Sequence, residues 1–300
     1  MSTRAKIALA LGGGGARGLA HIGILKVLEK ARIPIDLITG TSIGAVVGAM
    51  YAQNPDASVL EKKFLDFLKS PIYKHSGLEL FIKKKEGENF FAQVATAIKE
   101  RLVINIAQSR CSLTSNRKLV RALQFLLDDV DISETRIKFA ATAVDLLSGQ
   151  GVVLKEGSLI KAVVASSSIP GFLPPFSYDG RLLVDGAVTF PVPVQPALEL
   201  GADLVIAVDV GQDLECDPEL DNVIDVIFRT NLITARNYNA LLLEKADIVL
   251  RPRVGQIHWA EFKHIEQLIL EGEQTALKAL SQIERLIKSK RSFWEKLFAK

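Results

Sequence analysis

Short apolar runs alternate with amphipathic stretches over the first fifty residues. The runs Ile7–Leu11 and Leu37–Thr39 are too short for helices and have no polar face, so each predicts a buried strand. Between them, apolar residues recur every three positions from Leu19 to Leu28 with charges on the opposite face, which predicts a helix. Two strands joined by a helix normally form a right-handed crossover in a parallel sheet. We therefore expect a parallel sheet covered by helices.

The same alternation continues to the end of the chain. Helical spacing covers residues 43–52, 56–69, 91–106, 115–127, 158–165, 194–200 and 223–243, and resumes from 262 almost to the C-terminus. Strand patterns cover residues 137–145, 151–154, 181–184, 204–210 and 248–250. Two stretches fit neither pattern. Residues 71–91 mix apolar and charged positions irregularly and predict a mobile cap, whereas the prolines of residues 166–176 predict an ordered loop.

Composition and charge exclude several classes of protein. The chain has 300 residues, of which 48% are hydrophobic, so it can bury a large core. Its 37 basic and 34 acidic residues leave a net charge of +3, too little to argue for a nucleic-acid partner. Cys111 and Cys216 form no C-x-x-C pair, which argues against a disulfide framework or a cysteine-rich metal site.

The lengths of the hydrophobic runs indicate where in the cell the protein is expected. No apolar run approaches the roughly 20 residues needed to cross a bilayer. The apolar run near the N-terminus is too short for the core of a signal peptide. We therefore expect a soluble cytoplasmic protein.

A glycine loop, Gly12–Gly18, joins the first strand to the first helix. Its spacing satisfies the dinucleotide-binding pattern G-x-G-x-x-G. That fingerprint also requires an acidic residue after the second strand, to hold the ribose. Asp36 instead precedes that strand. Dinucleotide binding is therefore a weakly supported alternative.

The second strand leads into the segment Gly40–Gly44, of sequence G-T-S-I-G, and then into a helix of small residues. This strand, turn and helix is the layout of a nucleophile elbow, with Ser42 at its apex. The tight turn would expose the serine hydroxyl, and the N–H groups of the following helix favour developing negative charge. Gly40 and Gly44 would let the strand and helix approach closely. Because the motif also arises by chance in glycine-rich turns, the rest of the chain has to identify a partner.

A Ser-His-Asp triad is one candidate arrangement, with Ser42 followed by Asp209 or Asp247 and then by His258. The position of the elbow argues against it, because several strands normally precede the nucleophile in that fold. The four histidines do not fall in clear strand-end loops; they are His21, His75, His258 and His264.

Three motifs occur together and in a defined order: Gly13–Gly18, Gly40–Gly44 and Asp185–Ala187. A fourth segment, Ala165–Phe176, precedes the aspartate. With these motifs the sequence resembles the patatin-like phospholipase family, including its bacterial and neuropathy-target-esterase-like members. The resemblance implies an α/β fold of three layers, α/β/α, with a mainly parallel central sheet. It covers roughly residues 5 to 203, which implies a catalytic domain over 5–203. Residues 204–300 would then form a C-terminal extension that completes the sheet and adds helices.

The resemblance also implies a chemistry. Ser42 and Asp185 would form a dyad without histidine, metal or cofactor, and would hydrolyse acyl esters of a phospholipid or lysophospholipid through an acyl-enzyme. The backbone N–H groups of Gly13, Gly14 and Gly15 would form the oxyanion hole. Supporting positions would be Arg17, Gly18, Gly40, Gly44 and Gly186. A carboxylate can act as the base because the serine proton moves only as the carbonyl is attacked. A lipid-binding or regulatory protein that retains the motifs without hydrolysis is the alternative of a different class.

The last residues, 288–300, form a basic aromatic tail. Its apolar residues share one helical face and its basic residues surround them: Phe293, Trp294, Leu297 and Phe298, with Lys290, Arg291, Lys296 and Lys300. This pattern is typical of a helix at a membrane surface, and equally of a helix that packs on the protein or on a second subunit. A peripheral contact with the inner membrane surface is one expectation, and the oligomeric state stays open.

Overall fold

An eight-stranded sheet forms the centre of the protein in a computed structural model that describes residues 4–75, 115–211, 220, 223–254 and 257–298. The strands are β1 (Ile7–Leu11), β2 (Leu37–Gly40), β3 (Lys138–Asp145), β4 (Gly151–Leu154), β5 (Phe176–Tyr178), β6 (Arg181–Asp185), β7 (Leu204–Val208) and β8 (Ile248–Leu250). Hydrogen-bonded neighbours follow the order β5-β6-β3-β2-β1-β7-β8, and β4 pairs with β3.

Nine α-helices lie among the described residues. They are α1 (Ala20–Lys30), α2 (Ile43–Gln53), α3 (Ala57–Lys69), α4 (Pro71–Lys74), α5 (Asn116–Leu126), α6 (Leu159–Ser166), α7 (Val194–Glu199), α8 (Val223–Leu243) and α9 (Ile265–Phe298). Short 3-10 turns cover Gly15–Leu19, Ile132–Glu134, Gly186–Val188 and Phe262–His264. None of the helices in the described ranges combines the length and the apolar character needed to span a membrane.

The predicted α/β fold with a mainly parallel sheet is confirmed. Strand pairs β1–β2, β1–β7, β2–β3 and β7–β8 are parallel, whereas β3–β4, β3–β6 and β5–β6 are antiparallel. The predicted C-terminal helical extension corresponds to α9. The prediction missed β5, whose three residues are too few to show a pattern. It also missed α4, which begins at Pro71 with Ser70 as its N-cap. The predicted cap beyond residue 75 and the helix at 91–106 lie outside the described residues.

Side chains on the two faces of the central strands pack into two separate hydrophobic cores. In β1, Ile7, Leu9 and Leu11 point into the larger core with residues of α1, α2 and α9. Ala8 and Ala10 point into a smaller core with residues of α7 and the end of α8. Because both faces of the sheet are covered by helices, the molecule has the three layers expected of an α/β/α fold.

The strand registers bring two carboxyl ends together. Ala141 in β3 pairs with Gly40 of β2 on one side and with Leu154 of β4 on the other. Two residues further along β3, Ala143 pairs with Asp185 of β6 and with Val152 of β4. Strand β4 therefore occupies one edge of β3, while β2 and β6 share the other edge end to end. Since β2 is parallel and β6 antiparallel to β3, the carboxyl ends of β2 and β6 face each other.

Candidate active site

Ser42 lies just beyond the carboxyl end of β2 and occupies the N-cap position of α2, where its side chain makes no capping hydrogen bond. Its backbone has φ 55° and ψ −123°, an uncommon conformation for a residue with a side chain. The residue is only 4% exposed. Its N–H donates a hydrogen bond to the Ser166 hydroxyl over 3.0 Å. The sharp turn and the helix beyond it agree with the geometry of a nucleophile elbow.

Asp185 lies at the carboxyl end of β6 and is 2% exposed. Its backbone N–H donates to Ser168 O over 2.9 Å, and its Oδ1 accepts from Ala187 N over 2.8 Å. Burial raises the pKa of Asp185 to about 7, while the nearby hydroxyl of Ser42 and the N–H of Ala187 act in the opposite direction. A carboxyl group with a pKa near neutrality can release and take up a proton easily at physiological pH.

The contact between Ser42 and Asp185 is loose. Ser42 is close enough to lower the pKa of the carboxyl group, yet Asp185 Oδ2 accepts no fully formed hydrogen bond within the described residues. Hydrogen bonds between catalytic groups are often long until a substrate aligns them. The arrangement can therefore supply a hydroxyl and a base at one buried point.

The glycine loop starts directly beside Ser42, and a Cβ placed on Gly13 would lie 3.3 Å from Ser42 Cβ. The Gly13 N–H donates to Pro191 O over 3.0 Å, so this predicted oxyanion donor is already engaged. Within the described part of the chain, the N–H groups of Gly14 and Gly15 make no hydrogen bond, and neither does that of Ile43 at the start of α2. The loop therefore offers Gly14 and Gly15 as the available donors among the three predicted ones.

The other predicted glycines allow close approach between neighbouring segments. Added Cβ atoms would overlap Ile43 from Gly18, Ala45 from Gly40, Leu11 O from Gly44, and Thr142 from Gly186. The absence of side chains at these positions thus lets the glycine loop, the elbow and the turn after Asp185 pack against one another.

Two buried side chains hold the glycine loop from behind. His21 Nε2 lies 2.8 Å from Gly12 O and must be the donor because a carbonyl only accepts. Burial lowers the pKa of His21 to about 4, so the ring is neutral at pH 7. Arg17 is fully buried, donates from Nε to Ile257 O over 2.8 Å, and has its pKa lowered by burial to about 10. Both side chains thus hold the glycine loop, and the supporting role of Arg17 in catalysis stays a prediction.

A segment near the C-terminus, residues 257–260, completes the support. Trp259 O accepts from Ala16 N over 2.6 Å, and the Trp259 ring packs edge-on against Phe172 with centroids 5.4 Å apart. No sequence pattern indicated that a segment so far along the chain contacts the glycine loop. Only long-range packing after β8 brings it there.

The two alternative sites are not assembled. Asp36 lies at the amino end of β2, away from the glycine loop, where it pairs with Arg4 and accepts from Ile7 N. Asp209 contacts Arg251, and Asp247 accepts from Val205 N and pairs with Lys290. Among the described residues, His258 makes no hydrogen bond to Ser42 or to either aspartate. Its Nδ1 accepts from Ala260 N.

His258 nevertheless lies closer to the glycine loop than the sequence suggested. Burial and the positive charge of Arg17 lower the pKa of His258 to about 4, so its ring is neutral at pH 7. His258 thus interacts with the loop through the charge of Arg17. The hydrogen bonds between the 257–260 segment and the loop are accepted by the backbone carbonyls of Ile257 and Trp259.

Sequence comparison finds relatives that match most of the chain. Residues 9–198 match the family described as patatin-like phospholipase. The chain is 34% identical over 213 residues to patatin-like phospholipase domain-containing protein 6 of Mus musculus, a match that covers 70% of this chain and 14% of that protein. It is 33% identical over 212 residues to an uncharacterised NTE family protein of Mycobacterium tuberculosis, covering 70% of this chain and 50% of that protein.

Further comparisons agree. A lysophospholipase, nte1, of Aspergillus fumigatus is 31% identical over 214 residues, which is 71% of this chain and 12% of that protein. These matches span half or less of each relative's length. Human GIVD cytosolic phospholipase A2, solved with a methyl gamma-linolenyl fluorophosphonate inhibitor and terbium chloride, superposes with a TM-score of 0.50 at 13% identity. That superposition covers 97% of this chain and 60% of the other, and it shows a shared fold.

Proposed function

Because the chain belongs to the patatin-like phospholipase family, we propose that it is a serine lipid acyl hydrolase of the phospholipase A or lysophospholipase type. Ser42 is the nucleophile in this proposal and Asp185 is its general base. The observation that carries the proposal is the meeting of the carboxyl ends of β2 and β6 on one edge of β3, which brings these two buried side chains together.

The proposed reaction has two halves. Ser42 Oγ attacks the ester carbonyl carbon and forms a C–O bond while Asp185 takes the hydroxyl proton. The tetrahedral intermediate collapses, the ester C–O bond breaks, and the leaving alcohol takes the proton from Asp185. Water then attacks the acyl-enzyme by the same steps, releasing the fatty acid and restoring Ser42.

The oxyanion of each tetrahedral intermediate would be held by the N–H groups of Gly14 and Gly15. Donors fixed in advance at such a position are worth roughly 3 kcal/mol each in comparable sites. Their rigidity comes from the contacts behind the loop, where His21, Arg17 and the 257–260 segment hold Gly12, Ala16 and their neighbours.

Substitution of the dyad tests the proposal. We expect Ser42→Ala to abolish ester hydrolysis, because no other nucleophile is proposed to form the acyl-enzyme. Asp185→Asn should lower kcat/KM by about 10²- to 10⁴-fold, the usual worth of a general base. His258→Ala should retain activity within about tenfold, because the support from its segment comes from backbone atoms of Ile257 and Trp259. The measurement is hydrolysis across a panel of phospholipids, lysophospholipids and soluble esters.

Two outcomes would redirect the assignment. An inactive His258→Ala combined with an active Asp185→Asn would favour the Ser-His-Asp triad. A chain that hydrolyses nothing and shows no Ser42-dependent labelling by a fluorophosphonate would be a lipid-binding or regulatory protein instead.

We further propose that the enzyme acts from the cytoplasm on the inner membrane surface, with the basic aromatic tail as its peripheral contact. The support is the sequence pattern of residues 288–300, whose apolar positions share one helical face with basic positions around them. Deletion of residues 289–300 should reduce sedimentation with anionic liposomes at low salt while leaving hydrolysis of a soluble ester intact. Unchanged sedimentation would show that the tail does not bind the membrane.

A further inference from the structure

One short segment contacts the backbones of both proposed dyad residues. Ser166, the last residue of α6, accepts the Ser42 N–H on its hydroxyl over 3.0 Å. Two residues later, Ser168 O accepts the Asp185 N–H over 2.9 Å. Both serines are fully buried. The segment therefore connects the ends of β2 and β6 on a path separate from β3.

The segment is itself rigid. Helix α6 is buried over seven of its eight residues, and its last turn is closed by hydrogen bonds from Ser167 N to Val163 O and from Ser168 N to Ala165 O. The Ser168 hydroxyl bonds back to Val164 O over 2.8 Å. A support built on a packed helix end holds its partners more accurately than a surface loop does.

The Ser166 hydroxyl stabilises the unusual backbone conformation of Ser42. A positive φ in a residue with a side chain persists only when the surroundings enforce it. The Ser42 N–H is buried and cannot turn to water, so the Ser166 hydroxyl is its acceptor in this conformation. Without that acceptor, the buried Ser42 N–H would be unpaired, and rotation of the peptide toward another acceptor would lower the free energy. Such a rotation would also change the direction of the Ser42 side chain.

We infer that Ser166 is a positioning residue for the nucleophile: its hydroxyl fixes the elbow so that Ser42 faces Asp185. This inference rests on the proposed function of Ser42 and Asp185. The sequence motif around Ser166 has no other part in the mechanism proposed above, and Ser166 need not contact the substrate to act.

The neighbouring Ser167 supplies a matched control. It differs from Ser166 by one position, is also buried, and its hydroxyl has no hydrogen-bond partner within the described residues. Ser167→Ala and Ser166→Ala therefore remove the same atom from the same segment, but only Ser166→Ala removes the acceptor of the Ser42 N–H.

The experiment compares Ser166→Ala, Ser166→Thr and Ser167→Ala on a soluble ester and by amide hydrogen exchange. Ser166→Ala should lower kcat by about 10- to 100-fold with KM within about twofold, since misplacement of a nucleophile costs rate rather than binding. It should slow fluorophosphonate labelling of Ser42 in proportion. Ser166→Thr keeps a hydroxyl and should recover most of the activity, and Ser167→Ala should match the native chain.

Hydrogen exchange separates this inference from the proposed function. Exchange of the elbow amides should accelerate in Ser166→Ala and stay unchanged in Ser167→Ala, whether or not the protein hydrolyses an ester. Native kcat in Ser166→Ala, or equal losses in Ser166→Ala and Ser167→Ala, would overturn the positioning role. If Ser166→Ala does not fold, Ser166→Cys, whose thiol is a weak acceptor, takes its place with the same expected outcomes.

Discussion

At the scale of single residues, the environment of Asp185 determines the pKa of the proposed base. A carboxylate in water has a pKa near 4 and is a weak proton acceptor at neutral pH. Burial raises the pKa of Asp185 to about 7, and the contacts to Ser42 and Ala187 keep it from rising further. The same burial that makes the group a better base also makes its charged form costly to the fold.

The pKa predicts how activity depends on pH. Because the base must be ionised, kcat/KM for a soluble, non-titrating ester should rise with pH through a single ionisation near pH 7 and level off above about pH 8. Initial rates between pH 5 and pH 9 at subsaturating ester provide the measurement. A profile that is flat from pH 5 to pH 8 would contradict Asp185 as the base.

The same pKa predicts an effect on stability. A carboxyl group whose pKa is higher in the folded than in the unfolded chain favours folding at pH values below its pKa in the unfolded chain. For Asp185 that contribution to stability is lost as the pH rises through about 7, the pKa in the folded chain. Asp185→Asn removes the charge, so it should stabilise the protein by roughly 2 to 4 kcal/mol at pH 8. The difference in thermal unfolding midpoint between variant and native chain should narrow markedly at pH 5. An equal difference at both pH values would show that the charge of Asp185 is not its source.

At the scale of elements, the site depends on strands that are far apart in sequence but share an edge. Strands β2 and β6 are separated by more than 140 positions, yet both pair with the same side of β3. Their opposite directions make their carboxyl ends converge, which a wholly parallel sheet could not achieve at this point. The antiparallel strand β6 is thus the element that brings Asp185, the proposed base, to the elbow that carries Ser42.

Helix packing connects the site to the C-terminal part of the chain. Helix α1 follows the glycine loop and lies directly against α9, since a Cβ on Gly23 would overlap Ile269 O and one on Gly272 would overlap Ala20 O. Such contact between helix backbones requires glycine at both crossing points. The position of α1, and with it the end of the glycine loop, is therefore set partly by α9.

At the scale of the whole molecule, the family-matched region does not contain all of the sheet. The match ends at residue 198, whereas β7 pairs with β1 along its whole length and β8 pairs with β7. Residues after 203 also supply α9 and the segment that supports the glycine loop. The division into a catalytic domain over 5–203 and an extension over 204–300 stays a prediction, and the residues after 203 share the sheet and the core with those before it.

This packing predicts how truncation acts. A chain ending at Asp203 would leave β1 with an unpaired edge and the core facing α9 exposed, so it should aggregate or lack cooperative unfolding. A chain ending at Lys288 keeps the buried residues of α9 up to Ile283 and should unfold cooperatively. Circular dichroism melts and size-exclusion chromatography distinguish these results. A monomeric, cooperatively folded chain ending at Asp203 would show that 5–203 is an independent domain.

The sequence by itself determined the local elements and the motifs. Apolar periodicity located strands such as β1 and β7 and helices such as α2 and α8, because burial of one face or of a whole strand leaves a regular pattern. The elbow around Ser42 and the glycine loop were visible for the same reason, since each is a turn whose shape is set by neighbouring residues. Resemblance to a family, and not spacing, then connected Ser42 with Asp185.

Only the tertiary structure decided what depends on contacts between distant segments. In the folded chain the Gly13 N–H donates to Pro191 O, and the Ser42 N–H donates to the Ser166 hydroxyl. Residues 257–260 pack against the glycine loop. None of these contacts can be recognised from a periodic pattern in the sequence, because a single hydrogen bond requires only one donor and one acceptor. The pKa of Asp185 has the same origin, since burial is a property of everything packed around the carboxyl group and not of its neighbours in the chain.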